Sequence, residues 1–292
     1  MTTDNSFKQI VREEVPLAMH TWLQLGGPAE FFAEPRSRQE LIELLQQCNK
    51  DSIPVRILGM GSNVLVSDKG VPGVVIRLTA PDFCDIQVDG TQVDAGGGAR
   101  LGRVITSAVH AGLGGLEGLI GIPGTVGGAI HENASTSDGE VGQWVDQVGI
   151  VTFAGEYQEL TRKEIAFGYH NCSIANAVVV WVKFKLEQED ARELSKRMQK
   201  IWIVRKKTQP MGWQNAGRLF KNPRGQNAAE LIESVGLRGT KIGGAVISQR
   251  NANYVVVEPE CSCNDITRLV NLIQSQVMDR MEIELELELE MW

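Results

Sequence analysis

Two glycine-dense stretches, Leu58-Gly-Met-Gly-Ser-Asn-Val64 and Gly118-Leu-Ile-Gly-Ile-Pro-Gly-Thr-Val-Gly-Gly128, hold the residues best suited to chemistry. Glycine accepts positive φ and close approach, and consecutive bare N–H groups in such turns form a concave anion site. One loop of this kind reads equally well as a tight structural turn. Two in one chain point to a ligand with more than one phosphate, gripped by main chain rather than by lysine. Gly59, Gly61, Ser62 and Asn63 form the first expected cofactor loop, the last two adding side-chain donors. Gly121, Ile122, Pro123, Gly124, Thr125, Gly127 and Gly128 form the second. Position 64 is Val, so the third glycine of G-x-G-x-x-G is missing, and P-loop spacing is missing too; both common nucleotide motifs are rejected.

Carboxylates are concentrated in the tail. Ile283-Glu-Leu-Glu-Leu-Glu-Leu-Glu-Met291 alternates strictly, which predicts a strand with one apolar face and Glu284, Glu286, Glu288 and Glu290 on the other. Its ordinary reading is a solvated face. Same-face carboxylates repel, so a working role for one needs a specific reason.

Five cysteines without C-x-x-C spacing do not suit a disulfide framework, and they fit a reducing cytoplasm. Cys261-Ser-Cys263 has no second pair or nearby histidine to complete a metal site, so no metal is expected.

The elements that would position these residues are short and mixed. Segments 55–58, 64–66, 74–76 and 86–88 read as strands punctuated by Gly, Pro and Asp. Leu41, Ile42, Leu44 and Leu45 predict a helix near 38–50, and a second spans 101–111 with an exit at Gly112. A polar helix over 190–207 is acidic early and basic late, as the macrodipole prefers. Beyond a break at Gln209-Pro-Met-Gly212, helices are expected at 227–235 and 264–281, with strands at 245–248 and 254–257. Without regular βαβ alternation the fold class is α+β. A boundary near 190–210 divides the 292 residues into an N-terminal segment 1–20, a domain 21–190 and a domain 191–292.

A net charge of −7 argues against nucleic acid as a partner, though not against a nucleotide held by amides. No apolar run approaches a membrane span of about 18–20 residues, so no membrane partner is expected. The start of the chain has neither a basic region nor an apolar signal core, so export is not expected.

At the glycine loops the sequence resembles the UDP-N-acetylenolpyruvoylglucosamine reductases (UDP-N-acetylmuramate dehydrogenases). Thr21-Trp-Leu-Gln-Leu-Gly-Gly-Pro-Ala29, Phe167-Gly-Tyr-His170, Ala216-Gly-Arg-Leu-Phe-Lys-Asn-Pro223 and Ile242-Gly-Gly-Ala245 fall in the family's order, as does 205–210. The likeness runs over essentially 15–292, and the short stretch between Tyr169 and Arg205 is similar to the shorter of the family's two types. The resemblance implies a PCMH-type FAD-binding domain of two α+β subdomains, followed by a C-terminal α+β substrate-binding domain. It implies NADPH reducing FAD, and hydride then passing to the enolpyruvyl double bond of a nucleotide sugar in peptidoglycan precursor synthesis. A cytoplasmic monomer is expected.

Catalytic positions depart from the family pattern. His170 stands where an arginine helps bind the substrate carboxylate, and it has no bidentate fork. Arg218 stands where a serine donates a proton, and a guanidinium cannot act as an acid at neutral pH. Glu288 matches the catalytic glutamate, while Glu290 replaces an arginine two residues on. Alternation puts 288 and 290 on one side, with Arg218 pairing to Glu290 or to the substrate carboxylate. Glu288, His170 and Arg218 are therefore the expected catalytic set, and Tyr169, Lys221, Asn222 and Glu290 the expected substrate-binding set. Three functions stay open: the reductase, with proton donation impaired or altered; a non-catalytic FAD-binding paralogue that binds a nucleotide sugar; and an FAD oxidoreductase with another small substrate.

Overall fold

The leucine stripe near residue 40 folds as its spacing requires. Arg38–Lys50 is an α-helix whose Leu41, Leu44, Leu45 and Cys48 are buried along one face. It starts where Ser37 accepts from the Glu40 N–H at 3.2 Å, satisfying a first-turn donor. The computed structural model describes residue 7 and residues 9–210 and 218–292. Met211 and Gly212 of the expected break, and Ala216-Gly217 of the family-like 216–223 segment, lie outside the described residues.

The chain divides into two compact units. One comprises Met1–Glu14, Glu30–Gly59 and Pro72–Ile203; the other comprises Val15–Ala29, Met60–Val71 and Val204–Trp292. This grouping is discontinuous, unlike a linear division at one boundary, because two early segments pack with the C-terminal residues.

The first unit is built on an antiparallel five-stranded sheet in the order Tyr157–Thr161, Val145–Thr152, Ala177–Lys185, Gln92–Gly96, Ile86–Asp89. Its long strand is apolar on both faces. Val178 and Val180 enter one core with the Arg38–Lys50 helix, while Ala177, Val179, Val182 and Phe184 enter a second with Leu101–His110. Burial on two sides explains a continuous run, Ala-Val-Val-Val, where a half-buried strand would alternate. Two cores about one sheet match the expected pair of α+β subdomains. A four-stranded sheet, ordered Val11–Pro16, Pro28–Ala33, Val71–Ile76, Val55–Ile57, includes the parallel pair that leads into Gly59.

The second unit has one core. Leu219, Phe220, Leu285 and Leu289 pack with the helices Ala228–Ser234 and Cys263–Met281 and with the antiparallel sheet Lys241–Ile242, Ala245–Ile247, Val255–Val257. Val64–Leu65 pairs in parallel with Glu290–Met291. No helix among the described residues is long and apolar enough to cross a membrane.

The tail departs from the expected uniform strand. Leu287 bridges Phe220, and then the N–H groups of both Glu288 and Leu289 donate to the Leu219 carbonyl, at 2.9 and 3.3 Å. Two residues thus oppose one, as in a β-bulge, while Leu285 and Leu289 stay on the same core side, 1% and 3% exposed. The Glu286 side chain is 72% exposed, whereas that of Glu288 is 12% exposed.

Candidate functional site

In the first unit, the second glycine loop divides its amides between support and display. Gly121 and Gly124 take φ of 88° and 139°, positions where a side chain would be strained. The Ile122 N–H donates to Leu119, Val126 to Ala99 and Gly127 to Gly97, at 3.1, 2.9 and 2.7 Å. The Gly128 N–H reaches the Thr125 hydroxyl at 3.3 Å, which caps the short helix Val126–His131. Among the described residues, the N–H groups of Gly121, Gly124 and Thr125 have no protein acceptor. These three fit an anionic oxygen. The expectation that the whole run forms the anion cradle is therefore narrowed: Gly127 and Gly128 direct their N–H groups into the protein.

Gly59 belongs to the same arrangement. A Cβ there would lie 2.8 Å from the Thr125 hydroxyl, and the Gly59 carbonyl accepts from Arg77 Nε at 3.3 Å. The end of the first loop's strand thus rests on the capping residue of the second loop.

His170 is 7% exposed and sits at φ 48°, an uncommon conformation for a residue with a side chain. Its Nε2 is 3.4 Å from the Ser135 hydroxyl, and the exposed Tyr169 ring meets it edge-on at 4.4 Å. The turn is held by fully buried Asn133. That side chain donates to the Gly168 carbonyl at 2.8 Å and to Glu140 at 3.1 Å, and accepts from the Gly142 N–H at 3.1 Å.

In the second unit, Gly61 has φ 64°, and a Cβ would come within 2.3 Å of the His20 carbonyl, so only glycine fits. Ser62 is half-buried. Asn63, expected to donate to the ligand, sends its Nδ2 to the Glu288 carbonyl at 2.9 Å, while its own carbonyl accepts from the Glu290 N–H at 3.0 Å. It anchors the segment that carries the carboxylate.

Around Glu288 the same unit gathers Arg218, Lys221 and Tyr254. Arg218 Nε lies 3.4 Å from Glu288 Oε2. The expected pairing of Arg218 with Glu290 is corrected here. The Glu288 side chain is only 12% exposed, whereas Glu290 is exposed, its carboxylate accepting from Trp292 Nε1 at 3.0 Å. Burial pushes the Glu288 carboxyl up to about 7, although the Arg218 and Lys221 charges oppose the rise. Lys221 pairs with Glu286 at 2.5 Å, and Asn222 accepts from the Ala228 N–H at 3.1 Å at the start of a helix.

Sequence reading missed Asn253, which is 1% exposed. Its Oδ1 accepts from the Phe220 N–H at 2.9 Å, and its Nδ2 donates to the Phe220 carbonyl at 2.7 Å. An asparagine flanked by apolar residues at a strand entrance was the available signal.

Cys261 and Cys263 are not activated thiols. Burial, with Asp265 and Asp68 adding to it, pushes Cys261 up to about 11, and burial with Asp68 raises Cys263. No metal-binding cluster of His, Cys, Asp or Glu occurs among the described residues.

Residues 29–161, which include both glycine loops, match the FAD binding domain family. Residues 209–292 match the family described as UDP-N-acetylenolpyruvoylglucosamine reductase, C-terminal domain. UDP-N-acetylenolpyruvoylglucosamine reductase 2 of Symbiobacterium thermophilum is 38% identical over 284 residues, covering 97% of this chain and 92% of that protein. The chain belongs to the UDP-N-acetylenolpyruvoylglucosamine reductase family. The corresponding reductase of Moorella thermoacetica is 37% identical over 285 residues, covering 97% of this chain and 93% of that protein. The crystal structure of the Thermus caldophilus reductase superposes with a TM-score of 0.84 at 36% identity, covering 97% of this chain and 99% of that one. The α+β architecture with an FAD-binding domain is thus the family's own.

The contact between Gly59 and Thr125 makes a direct prediction for this reductase. Gly59→Ala is expected to push the Thr125 hydroxyl off the helix N-terminus, costing about 1 kcal/mol of capping and up to roughly fivefold in FAD affinity. Titration of apoprotein with FAD measures it; an unchanged Kd would show that this contact does not shape the loop.

Proposed function

We propose that this chain uses NADPH, through bound FAD, to reduce the enolpyruvyl group of UDP-N-acetylglucosamine enolpyruvate to UDP-N-acetylmuramate. The reaction belongs to peptidoglycan precursor synthesis. The observation that carries the reading is a buried Glu288 with its proton affinity raised to near neutrality, placed against the Arg218 guanidinium. Bound FAD would supply the hydride chemistry between NADPH and the substrate double bond.

The chain's own residues supply the rest. The free N–H groups of Gly121, Gly124 and Thr125 would hold the cofactor diphosphate. Arg218 offers a planar fork to the substrate carboxylate, a role left open by the arginines absent from 170 and 290. Glu288, protonated in part at pH 7, gives its proton to the carbon left electron-rich by hydride addition; its O–H bond breaks as the C–H bond forms. A donor with a pKa near the working pH is effective in that task. This restores the function of the replaced serine by a different group. His170 joins the catalytic set in this reading, and Tyr169, Lys221, Asn222 and Glu290 contact the nucleotide sugar. Residues 21–190 form the FAD-binding domain and 191–292 the substrate-binding domain, in a cytoplasmic monomer.

Anaerobic half-reactions test the proposal. NADPH is expected to bleach the yellow protein, and the enolpyruvyl nucleotide sugar to restore its colour. Bleaching without recovery would identify a non-catalytic paralogue, and recovery only with an unrelated acceptor would identify a different oxidoreductase.

A further inference from the structure

Arg218 and Glu288 account for a cation and an acid, but not for a neutral donor facing the charge that develops on the substrate. The backbone brings a tyrosine next to that pair. Leu219 lies between two segments: its N–H donates to the Asn253 carbonyl at 2.8 Å, and its carbonyl accepts from Glu288 at 2.9 Å. Arg218 precedes that junction on one segment, Tyr254 follows it on the second, and Glu288 occupies it on the third. The Asn253 side chain, bonded to both backbone groups of Phe220, fixes the register. Tyr254 therefore enters the same corner as the Arg218–Glu288 pair, and it is 9% exposed.

Its surroundings are electrostatic. Burial raises the Tyr254 phenol above its ordinary value, Arg218 and Arg205 oppose the rise, and Glu288 adds to it. The phenol therefore keeps its proton at neutral pH. No described residue forms a hydrogen bond with its hydroxyl. A buried tyrosine usually finds a partner for that group. Here the phenol, held in a residue only 9% exposed, feels the charges of Arg218, Arg205 and Glu288.

We infer that the Tyr254 hydroxyl is a substrate-binding and rate-determining group of this chain, donating to the carboxylate oxygen of the enolpyruvyl unit that Arg218 holds. This deepens the proposed reductase function and rests on that reading. Hydride addition to the double bond leaves an electron pair delocalised from carbon onto the carboxylate oxygens. The Tyr254 O–H strengthens its hydrogen bond to that oxygen and keeps its proton, while Glu288 protonates the carbon and is refilled from solvent. A donor aimed at charge that appears only in the transition state lowers the barrier more than it tightens ground-state binding.

Tyr254→Phe separates this role from its alternatives. With Arg218 still present, substrate-dependent reoxidation of the flavin is expected to slow by about 10–100-fold, somewhat less than the loss of an oxyanion donor in a site without a cation. Flavin reduction by NADPH and the melting temperature are expected to stay at the parent's values. The thermal stabilisation given by the lactyl product is expected to shrink, a readout independent of turnover. Tyr254→His, which restores an N–H donor, is expected to recover part of the reoxidation rate. An unchanged reoxidation rate in Tyr254→Phe overturns the inference. Equal slowing of both half-reactions, or a lowered melting temperature, also overturns it by showing a structural role. If the parent protein itself is not reoxidised by the enolpyruvyl sugar, the reductase reading fails first, and that result is distinct from a parent that turns over and a variant that matches it.

Discussion

Glu288→Gln is expected to slow turnover by about 10²–10⁴-fold, the usual cost of removing a positioned acid. Glutamine keeps the shape and cannot give a proton. The pH profile carries the stronger test. The parent's acid must be protonated, so its rate is expected to fall as pH rises through about 7, the value to which burial pushes this carboxyl. That limb should vanish in the variant. A variant with the parent's rate at pH 6 would remove Glu288 from proton delivery.

The same substitution has a stability signature of determinate sign. A carboxyl whose folded pKa is raised binds its proton more tightly in the folded state than in the unfolded one. Stability is then fully present below the unfolded value near 4.5 and declines as pH rises toward about 7. Glu288→Gln removes the penalty of burying the anion. It should stabilise the protein at pH 8 by on the order of 1–3 kcal/mol, with little effect at pH 4. Denaturant melts at the two pH values read the difference. Destabilisation at pH 8 would show that the Arg218 pair outweighs burial.

Asn253→Ala is expected to cost the second unit on the order of 4 kcal/mol. The cost is not that of one ordinary hydrogen bond. Removing the side chain leaves both the N–H and the carbonyl of Phe220 without their partner, in a residue that is fully buried. Each such orphaned group costs about 1–3 kcal/mol. The strand carrying Arg218 and Lys221 would also lose its register against Glu288, so reoxidation by substrate should slow even where the protein remains folded. Chemical denaturation with activity measured on the folded fraction separates the two effects. A loss below about 1 kcal/mol would mean that water or a main-chain shift replaces the amide.

Much of the architecture is readable along the chain because its determinants are local. Four apolar residues on one stripe and a serine cap specify the Arg38–Lys50 helix, and Gly112 at φ 73° ends the next one where expected. The phosphate loops are legible for a related reason: glycine is favoured by the φ of 88° and 139° at Gly121 and Gly124, and required at Gly61 by the close His20 carbonyl. Which amides in those loops stay free is less legible. Gly127 looks like Gly124 in a sequence, and only its distance to the Gly97 carbonyl shows that its N–H is already engaged.

The carboxylate tail marks where local reading ends. Residue types and spacing identify a chain able to form an extended, half-buried segment bearing four glutamates, and the resemblance singles out Glu288. Alternation alone puts Glu288 and Glu290 in equivalent surroundings. They differ in their neighbours: Leu219, far away along the chain, offers one carbonyl to the N–H groups of Glu288 and Leu289, and Arg218 beside it lies against the Glu288 carboxylate, whereas Glu290 is exposed. That shared acceptor depends on Asn253 fixing the Phe220 strand and on Asn63 holding the Glu288 carbonyl. Patterns of side-chain type encode which residues prefer water, whereas the proton affinity of one carboxyl depends on distant groups that exclude water from it.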